Sequence, residues 1–328
     1  MLKAVIQRAA SGMNLAADEI AAAVGEIMDG DASDAQIAAL LVALRMKGET
    51  VDEIEGAARA MRARMNSVTL DVSPLLDTCG TGGDSSGTFN ISTAVAFVAA
   101  AAGIYVAKHG NRAVSSRSGS ADVLRELGVN LDAPPGTVEA AIRETRIGFL
   151  FAPHHHPAMK HATPIRRELG MRTIFNVLGP LTNPAGAPNQ LLGVFTRDLV
   201  SPIAHVLGRL GSKRAWVVHG EDGLDELTVC GMTHVAEWNG EQVVERTVVP
   251  EDVGLKTAHP ESLKGGTPEE NAAIIREVLS GSREGPARDV VALNAGAALV
   301  VCETVGSLEA GVQTSLELLR NGAPMEVL

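Results

Sequence analysis

Short apolar segments alternate with helical patterns after residue 70, and this alternation constrains the fold more than any other feature of the chain. Strands are predicted at SPLLDT, IYVAKHG, IGFLFAP, LLGVFT and RAWVVHG, and a helix at STAVAFVAAAAG that ends at Gly103. Such alternation is typical of a parallel sheet with helices on both faces. Because only 3% of the 328 residues are aromatic and 45% are hydrophobic, we expect a core of Ala, Val, Leu and Ile. The pattern predicts an α/β protein.

Before residue 70 the sequence predicts helices alone. Ser33 with Gln36 and Thr50 with Glu53 have the spacing of capping boxes, in which two side chains satisfy backbone N–H groups of the first turn. Gly48 stands where the first of these helices should end. The Ala- and Leu-rich face of that helix is compatible with a subunit interface and equally with an intramolecular core.

The C-terminal part predicts a β-hairpin followed by helices. THVAEWNGEQVVERT has Asn239-Gly240 as its expected turn, and three helical patterns follow it, PEENAAIIREVLS, VVALNAGAALVVCE and LEAGVQTSLELLR. We therefore expect a small N-terminal helical domain and a larger α/β domain with a mainly parallel central sheet, separated by a ligand-binding cleft. The helical domain would comprise residues 1–70 with helices around 161–182, and the α/β domain residues 71–160 and 183–328.

Charge and cysteine content argue against several classes of protein. The formal net charge is −11, whereas nucleic-acid-binding surfaces are basic. Cys79, Cys230 and Cys302 form no C-x-x-C pair, which fits a reducing cytoplasm without a disulfide framework or zinc site. The N-terminus lacks the apolar core of a signal peptide, and the apolar run Ala94–Ala107 is too short to cross a membrane. We predict a soluble, cytoplasmic protein with no nucleic-acid or membrane partner.

The segment DTCGTGGDSSGTFNIST, Asp77–Thr93, follows the first predicted strand and is rich in glycine and hydroxyl side chains. It is not a Walker loop, because no Gly-Lys-Ser/Thr follows, and it fails the dinucleotide fingerprint, because the third glycine position is Ser85. Glycines at 80, 82 and 83 let backbone N–H groups approach an anion closely. The NIST motif at Asn90–Thr93 lies at a helix start, where N–H groups and the helix dipole favour phosphate. A different phosphate-bearing ligand is therefore expected.

Two more polar loops are predicted at the same edge of the sheet, because loops after parallel strands leave at their carboxyl ends. KHGNR at Lys108–Arg112 would follow the second strand, and DGLDE at Asp222–Glu226 would follow RAWVVHG. Lys108 and Arg112 supply cations, and the adjacent carboxylates of Asp225 and Glu226 suggest Mg²⁺ bridged to phosphate oxygens. The three loops together predict a site for a magnesium-bound polyphosphate.

Motifs along essentially the whole chain resemble those of the anthranilate phosphoribosyltransferase family. They are GTGGD at 80–84, NIST at 90–93, KHGNRAVSS at 108–116, GLDELT at 223–228, LRMKGET in the helical start and RRELGMRTIFNVLGPLTNP at 166–184. The resemblance implies a nucleoside phosphorylase/phosphoribosyltransferase-like fold and a homodimer formed through the helical domain. It also implies transfer of the phosphoribosyl group of phosphoribosyl pyrophosphate (PRPP) to the amine of anthranilate, with release of pyrophosphate, in tryptophan biosynthesis.

The resemblance implies roles for individual residues. The PRPP site would be formed by Gly80, Gly83, Asp84, Thr88, Asn90, Ser92, Thr93, Lys108, Ser115, Ser116 and Ser120. Anthranilate would contact Gly80, His109, Asn111 and Arg166, and an arginine suits a carboxylate because it can donate two parallel N–H bonds. Two Mg²⁺ ions per subunit are implied, one on Ser92 and Glu226 and one on Asp225 and Glu226. Lys108, Asn111 and Arg166 would be the catalytic residues.

The implied reaction needs charge stabilisation more than acid–base chemistry. An aromatic amine is neutral at pH 7, so no strong base is required, whereas the leaving pyrophosphate needs neutralisation by magnesium and Lys108. We expect an oxocarbenium-like transition state, no covalent nucleophile, and catalysis mainly by holding two substrates in line.

Four alternatives accompany this interpretation. A nucleoside phosphorylase would carry Lys-His-Ser-Thr-Gly-Gly where this chain has KHGNR, and a non-catalytic binding protein would be expected to lose Asp225, Glu226 or Arg166. The triplet His154–His156 resembles a metal cluster, but on a strand end its side chains would alternate in direction, so we expect a rim near the anthranilate entrance. Cys79 is expected to be a buried strand-end residue rather than a reactive thiol.

Overall fold

The structure is a computed structural model that describes residues 1–84, 86–113 and 117–328. The predicted residues Ser115 and Ser116 therefore lie outside the described residues. The chain begins with helices α1 (Leu2–Ala10), α2 (Ala17–Asp29), α3 (Asp34–Lys47) and α4 (Val51–Arg62). Both predicted capping boxes are confirmed, since the side chains of Ser33 and Thr50 each accept a hydrogen bond from the N–H three residues later. Gly48 follows α3 with a φ of +85°, as its predicted role as a helix stop requires.

A seven-stranded sheet forms the centre of the remaining chain. Its strands are β1 (Leu75–Gly80), β2 (Tyr105–Gly110), β3 (Ile147–Phe151), β4 (Asn189–Gly193), β5 (Arg214–Gly220), β6 (Thr233–Trp238) and β7 (Val243–Val248). The spatial order is β3-β2-β1-β4-β5-β6-β7, in which neighbouring strands from β3 to β5 are parallel and the last two pairs are antiparallel. The predicted mainly parallel sheet is confirmed. The chain turns from one side of β1 to the other between β3 and β4, which creates a topological switch point.

The β6–β7 hairpin is also confirmed, although its turn is longer than predicted. Four residues, 239–242, connect the two strands, and the side-chain oxygen of Asn239 accepts hydrogen bonds from the N–H groups of Glu241 and Gln242. Gly240 has a φ of +98°, which a glycine adopts without strain.

Eleven further helices lie within the described residues after β1. They are α5 (Ile91–Ala101), α6 (Ser120–Glu126), α7 (Pro135–Thr145), α8 (Ala152–His155), α9 (Thr163–Leu169), α10 (Phe175–Leu181), α11 (Val200–Arg209), α12 (Pro268–Leu279), α13 (Pro286–Val301), α14 (Leu308–Asn321) and α15 (Ala323–Val327). The apolar run Ala94–Ala107 divides between α5 and β2, both largely buried. None of the helices in the described ranges combines the length and apolar character that a bilayer crossing requires.

Two large hydrophobic cores lie on opposite faces of the sheet. Leu191 of β4 packs into one core with α5, α12 and α13, and the next residue, Leu192, packs into the other, because successive strand side chains point to opposite faces. The second core is continuous with the N-terminal helices, including Leu40, and with Ile165 and Leu178 of α9 and α10. The N-terminal helices and α9–α10 therefore share one packed interior beside the sheet.

Candidate active site

The carboxyl edge of the sheet brings the glycine-rich loop against the acidic loop after β5, as the sequence predicts. The carboxylate of Asp225 accepts a hydrogen bond from the N–H of Gly82 at 2.9 Å. A Cβ atom at Gly80 would lie 2.5 Å from the Asp225 carboxylate, and one at Gly193 would lie 1.5 Å from its carbonyl oxygen. Glycine is therefore required at the ends of β1 and β4 for the acidic loop to cross the switch point.

Lys108 lies inside β2, which confirms the predicted strand IYVAKHG, so the second prediction, that Lys108 belongs to the loop after this strand, is wrong. The strand continues to Gly110 because residues 108–110 pair in register with Phe149–Phe151 of β3. The Lys108 amine is buried, and it donates hydrogen bonds to the carbonyl of Thr78 and to the hydroxyl of Ser92 at 3.2 Å. The lysine therefore presents its charge across the sheet to the start of α5 rather than to solvent.

Lys108, Ser92 and Glu226 converge at the N-terminus of α5. The backbone N–H of Ser92 donates to the Glu226 carboxylate at 3.1 Å, while its hydroxyl accepts from Lys108. A hydroxyl of α5, a cation of β2 and a carboxylate of the loop after β5 thus meet at the end of α5 where its N–H groups and dipole favour anions. The hydroxyl of Thr93, in the same turn, is buried and has no hydrogen-bond partner among the described residues.

Burial and mutual charge keep the acidic pair partly protonated near neutral pH. Burial, with a smaller effect from the charge of Asp84, raises the pKa of Asp225 to about 7. Burial and the adjacent Asp225 raise the pKa of Glu226 well above its usual range. Burial lowers the pKa of Lys108, and the Asp77 carboxylate opposes that shift. Such a pair gains most from a bound cation, because a metal supplies the positive charge that the protein leaves out.

The donor atoms fit a magnesium ion that is shared with phosphate. Asp225 and Glu226 supply carboxylate oxygens and Ser92 a hydroxyl, and all of these are hard ligands of the type that Mg²⁺ prefers. Within the described parts of the chain, no group of three or more His, Cys, Asp or Glu side chains is placed to hold a metal. One or two protein carboxylates, completed by substrate phosphates and water, are the usual arrangement for this ion.

The other predicted donor-site residues surround the same turn. Gly83 accepts a hydrogen bond on its carbonyl from Arg172, and Thr88 forms an isolated bridge with Lys264. Asp84 is partly exposed in the glycine-rich loop. Ser120 is the first residue of α6, and its hydroxyl donates to the carbonyl of Asn111 at 3.3 Å.

Two neutral histidines lie on the side of the site that faces the helices. The rings of His109 and His156 are 5.1 Å apart, and Nδ1 of His109 lies 3.1 Å from the carbonyl of Gly179. That nitrogen must carry the proton, so Nε2 of His109 holds a free lone pair that is buried without a partner in the described structure. Burial, together with the other histidine rings, lowers the pKa of His109 to about 3 and that of His156 to about 4.

Arg166 approaches the same helix, α10, from α9. Its guanidinium lies 5.4 Å from the ring centroid of Phe175, and Phe175 and Gly179 are four residues apart on one face of α10. Arg166 and His109 therefore contact the same helical face. Burial lowers the pKa of Arg166, and no described carboxylate forms an ion pair with it. Asn111 is exposed beyond β2, and its side-chain oxygen accepts from the N–H of Arg112 at 2.8 Å. In the described ranges it makes no hydrogen bond with Arg166 or His109.

The prediction that the histidine triplet lies on a strand end is wrong, because β3 stops at Phe151 and α8 begins at Ala152. The three rings nevertheless have separate surroundings. His154 packs edge-on against Phe151, Nδ1 of His155 lies 2.8 Å from the carbonyl of Asn66, and His156 contacts His109. Cys79 is buried in β1, as expected, and burial raises its pKa well above the usual range, which disfavours the reactive thiolate.

Comparison with known proteins assigns the whole chain to one family. A family model described as "Glycosyl transferase family, a/b domain" matches residues 72–325, and one described as "Glycosyl transferase family, helical bundle domain" matches residues 3–65. Anthranilate phosphoribosyltransferase from Thioalkalivibrio sulfidiphilus is 54% identical over 327 residues, covering 100% of this chain and 95% of that protein. The chain belongs to the anthranilate phosphoribosyltransferase family.

Solved structures of anthranilate phosphoribosyltransferases have the same fold. The crystal structure of the enzyme from Thermus thermophilus matches with a TM-score of 0.93 at 49% identity, covering 98% of this chain and 96% of that one. The enzyme from Saccharomyces cerevisiae in complex with PRPP and Mg matches with a TM-score of 0.90 at 28% identity, covering 99% of this chain and 95% of that one. The resemblance and the fold class that the sequence predicts are both confirmed.

Three contacts around the candidate site have no clear signal in the sequence. The guanidinium of Arg172 lies 4.2 Å from the ring centroid of Phe195 and reaches the glycine-rich loop, although only its motif, not the residue, was singled out. Buried Asp77 accepts hydrogen bonds from the N–H of His109 at 3.1 Å and from Asn183 at 2.7 Å. In the sequence, Asp77 is only a carboxylate within an apolar strand, and Asn183 is only an asparagine before a proline. Neither pattern identifies the partner of the residue. The third contact is a hydrogen bond from the side-chain amide of Asn271 to that of Asn90.

Proposed function

We propose that this chain transfers the phosphoribosyl group of PRPP to the amine of anthranilate, giving N-(5-phosphoribosyl)anthranilate and pyrophosphate in tryptophan biosynthesis. The observation that carries the proposal is that a phosphate-type surface and a carboxylate-type surface lie beside the same end of the sheet. A charged turn with Lys108, Ser92 and Glu226 meets the phosphate-type glycine loop. On the helical side, Arg166 is a half-buried cation without a carboxylate partner among the described residues. The first surface suits a magnesium-bound diphosphate, and the second suits an aromatic carboxylate.

The donor half would bind PRPP through the glycine-rich loop and the start of α5. The residues proposed to line it are Gly80, Gly83, Asp84, Thr88, Asn90, Ser92, Thr93, Lys108 and Ser120, with Ser115 and Ser116 from outside the described residues. The buried Thr93 hydroxyl, which has no partner in the described ranges, supports this assignment, because a buried polar atom costs stability unless a ligand or water satisfies it.

Magnesium would be held by Ser92 with Glu226 and by Asp225 with Glu226, as two ions per subunit. When bound, the metal neutralises charge on the diphosphate and makes pyrophosphate a better leaving group. Lys108 donates hydrogen bonds toward the same turn and contributes a fixed positive charge in a buried, low-dielectric setting, where it acts more strongly than in water.

The acceptor half would orient anthranilate through its carboxylate and its amine. Arg166 can donate two parallel N–H bonds to the carboxylate, and Nε2 of His109 offers an unprotonated acceptor to the amine, with Asn111 and Gly80 at the border of the two halves. As the C1–N bond forms, the C1–O bond to pyrophosphate breaks, and the extra proton on nitrogen leaves to solvent. No general base is needed to start the reaction, because the amine lone pair is already free.

We also propose the domain division, the homodimer and the cytoplasmic location that the sequence predicts. The shared core of α1–α4 with α9 and α10 supports a helical domain of residues 1–70 with helices around 161–182. A groove of about 400 Å³ on α1 and α3, lined by Ile6, Val42 and the 82% exposed Met46, supports a dimer through that domain. Light scattering at micromolar protein concentration tests the dimer, and a monomer would contradict it.

The function is tested by following anthranilate fluorescence with PRPP and Mg²⁺. We expect a magnesium-dependent loss of fluorescence with release of pyrophosphate, and a much weaker apparent anthranilate affinity in Arg166→Ala. Arg167→Ala is the matched control, because Arg167 is the next residue of α9 and is exposed. Constant fluorescence in the unmodified protein, with consumption of a nucleoside and phosphate instead, would overturn the proposal in favour of phosphorolysis.

A further inference from the structure

A segment that belongs to none of the recognised motifs, residues 263–271, lies against the second half of the glycine-rich loop. The N–H of Phe89 donates to the carbonyl of Leu263 at 3.2 Å, and the N–H of Gly265 donates to the carbonyl of Gly87 at 2.9 Å. The Lys264 amine donates to the carbonyl of Ser86 at 3.1 Å. A Cβ atom at Gly265 would lie 2.6 Å from the nitrogen of Phe89, so the two backbones are in direct contact. This segment supports residues 86–90 from behind.

Asn271, in the first turns of α12, extends that support through a chain of amide groups. Its Nδ2 donates to Oδ1 of Asn90 at 3.0 Å. The same oxygen of Asn90 accepts from the Ser118 hydroxyl at 3.2 Å, and Nδ2 of Asn90 donates to the Ser118 carbonyl at 3.2 Å. The chain therefore runs from α12 through Asn90 to the residue two positions before α6.

The orientation of both amides is fixed from the α12 end. The N–H of Gly266 donates to Oδ1 of Asn271 at 2.8 Å, which turns the Asn271 NH₂ group toward Asn90. That donor requires the oxygen of Asn90 to face it, and the Asn90 NH₂ group then faces the Ser118 carbonyl. Asn271 is 1% exposed and Ser118 is 9% exposed, so water does not readily replace either partner.

The use of Asn90 is unusual for its position. It is the N-cap residue of α5, where an asparagine side chain commonly accepts a hydrogen bond from the helix, yet its side chain makes no such bond. The side chain instead joins Asn271 to Ser118. The helix start that carries Ser92 is thereby tied to the segment that precedes Ser120.

We propose that Asn271 is a positioning residue of the donor site, which holds Asn90 and the segment around Ser118 in the arrangement that PRPP binding requires. The inference rests on the proposed function, because it assigns PRPP to the turn that starts at Asn90. Asn271 is buried behind that turn and acts through Asn90 rather than on the substrate.

The sharpest test is Asn271→Asp, which keeps the volume and the acceptor for Gly266 but replaces the NH₂ donor with an oxygen. Two acceptors then face each other at Asn90, and the chain of amides has to rearrange. We expect the Kd for PRPP, measured by calorimetry with Mg²⁺ and no anthranilate, to rise about tenfold, as for the loss of one buried hydrogen bond. The KM for anthranilate at saturating PRPP should change less than about twofold.

Two controls separate positioning from a general loss of stability. Asn189→Asp makes the same chemical change at a residue that is 4% exposed at the start of β4, at the opposite edge of the sheet. Thr267→Ala removes the side-chain cap of α12 without touching Asn90. Both should lower the melting temperature and leave the Kd for PRPP unchanged within about twofold. An equal rise in Kd in either control would overturn the assignment to Asn271.

A double-mutant cycle with Ser118→Ala tests whether the effect passes through Asn90. If it does, Asn271→Asp should raise the Kd by at most about threefold in the Ser118→Ala background, because part of the chain is already cut. Fully additive effects would overturn the proposal. If the aspartate variant does not fold, Asn271→Ser replaces it, because the serine side chain is too short to reach Asn90. The same changes in the Kd for PRPP are expected for this variant.

PRPP binding by the unmodified protein is measured first, because this result tests the proposed function separately from the role of Asn271. A chain that binds no PRPP would overturn the proposed function and the inference together. A chain that binds PRPP with magnesium, but whose Asn271→Asp variant binds equally well, would overturn the role of Asn271 alone.

Discussion

The donor half and the acceptor half of the site differ in the charge that their side chains leave uncompensated. The donor half concentrates like charges, since the half-buried Asp225 is adjacent to the buried Glu226 and both carboxyl groups have raised pKa values. The acceptor half removes charge, since burial holds His109 and His156 neutral and Arg166 has no carboxylate partner in the described part of the chain. One half is incomplete without a cation, and the other is incomplete without an anion.

Under the proposed function, this difference would let one site bind a metal–diphosphate and an aromatic acid side by side. If the histidines were cationic, they would attract the diphosphate, and if the carboxylates faced Arg166, they would occupy it. The β2 strand separates the two roles, because neighbouring residues Lys108 and His109 point to opposite faces of the sheet.

The largest effect is expected for Lys108→Met. This change removes the buried cation between Thr78 and Ser92, so kcat should fall about 10²- to 10³-fold through lost stabilisation of the leaving group. Steady-state kinetics measure it, with Lys213→Met as a control, because Lys213 is exposed and pairs with Glu303. A fall of less than tenfold would place the leaving group elsewhere.

Arg166→Lys tests whether the acceptor half recognises a planar carboxylate. A lysine keeps the charge but not the paired N–H donors, so the KM for anthranilate should rise about 30-fold. The KM for PRPP should stay within about twofold, because no described contact joins Arg166 to the glycine-rich loop. Equal increases in both constants would show that the halves are not separate.

Magnesium binding should depend on pH through the acidic pair. Near pH 7 the pair holds a proton that the cation displaces, so affinity for Mg²⁺ in the presence of PRPP should rise about tenfold between pH 6 and pH 8. Without ligands, the free energy of unfolding should fall as the pH rises through about 7, because the folded state binds the proton more tightly. Asp225→Asn should flatten both profiles, and unchanged slopes would contradict the assignment.

The histidines should give a pH dependence of stability with the opposite sign, and this effect is expected on folding rather than on catalysis. Their pKa values are lowered to about 3 and about 4, so stability is fully present above about pH 6.5 and is lost as the pH falls toward these values. Each histidine should contribute about 1 kcal/mol per pH unit in that window. Urea unfolding at pH 7 and pH 5 measures it, and His156→Asn should reduce the slope by about half.

The fold was predictable because its signals are local. Capping boxes, apolar segments and the glycine before each turn act within a few residues, so both domains and most of the strands could be read from the sequence. The strand that contains Lys108 was predictable, whereas the contacts of its amine with Thr78 and Ser92 were not, because these residues lie 30 and 16 positions away along the chain. The contacts of Arg172, Asp77 and Asn271 are long-range as well, and nothing in one sequence identifies their partners.

The most direct test of the division into two halves is PRPP binding, measured by calorimetry without anthranilate, in Arg166→Ala and Glu226→Gln. Arg166→Ala should bind PRPP as the unmodified protein does, with the same magnesium dependence. Glu226→Gln should lose most of that dependence, because it removes the carboxylate shared by both proposed ions. If Arg166→Ala weakened PRPP binding as much as Glu226→Gln, the two halves would not be distinct, and the account would be wrong.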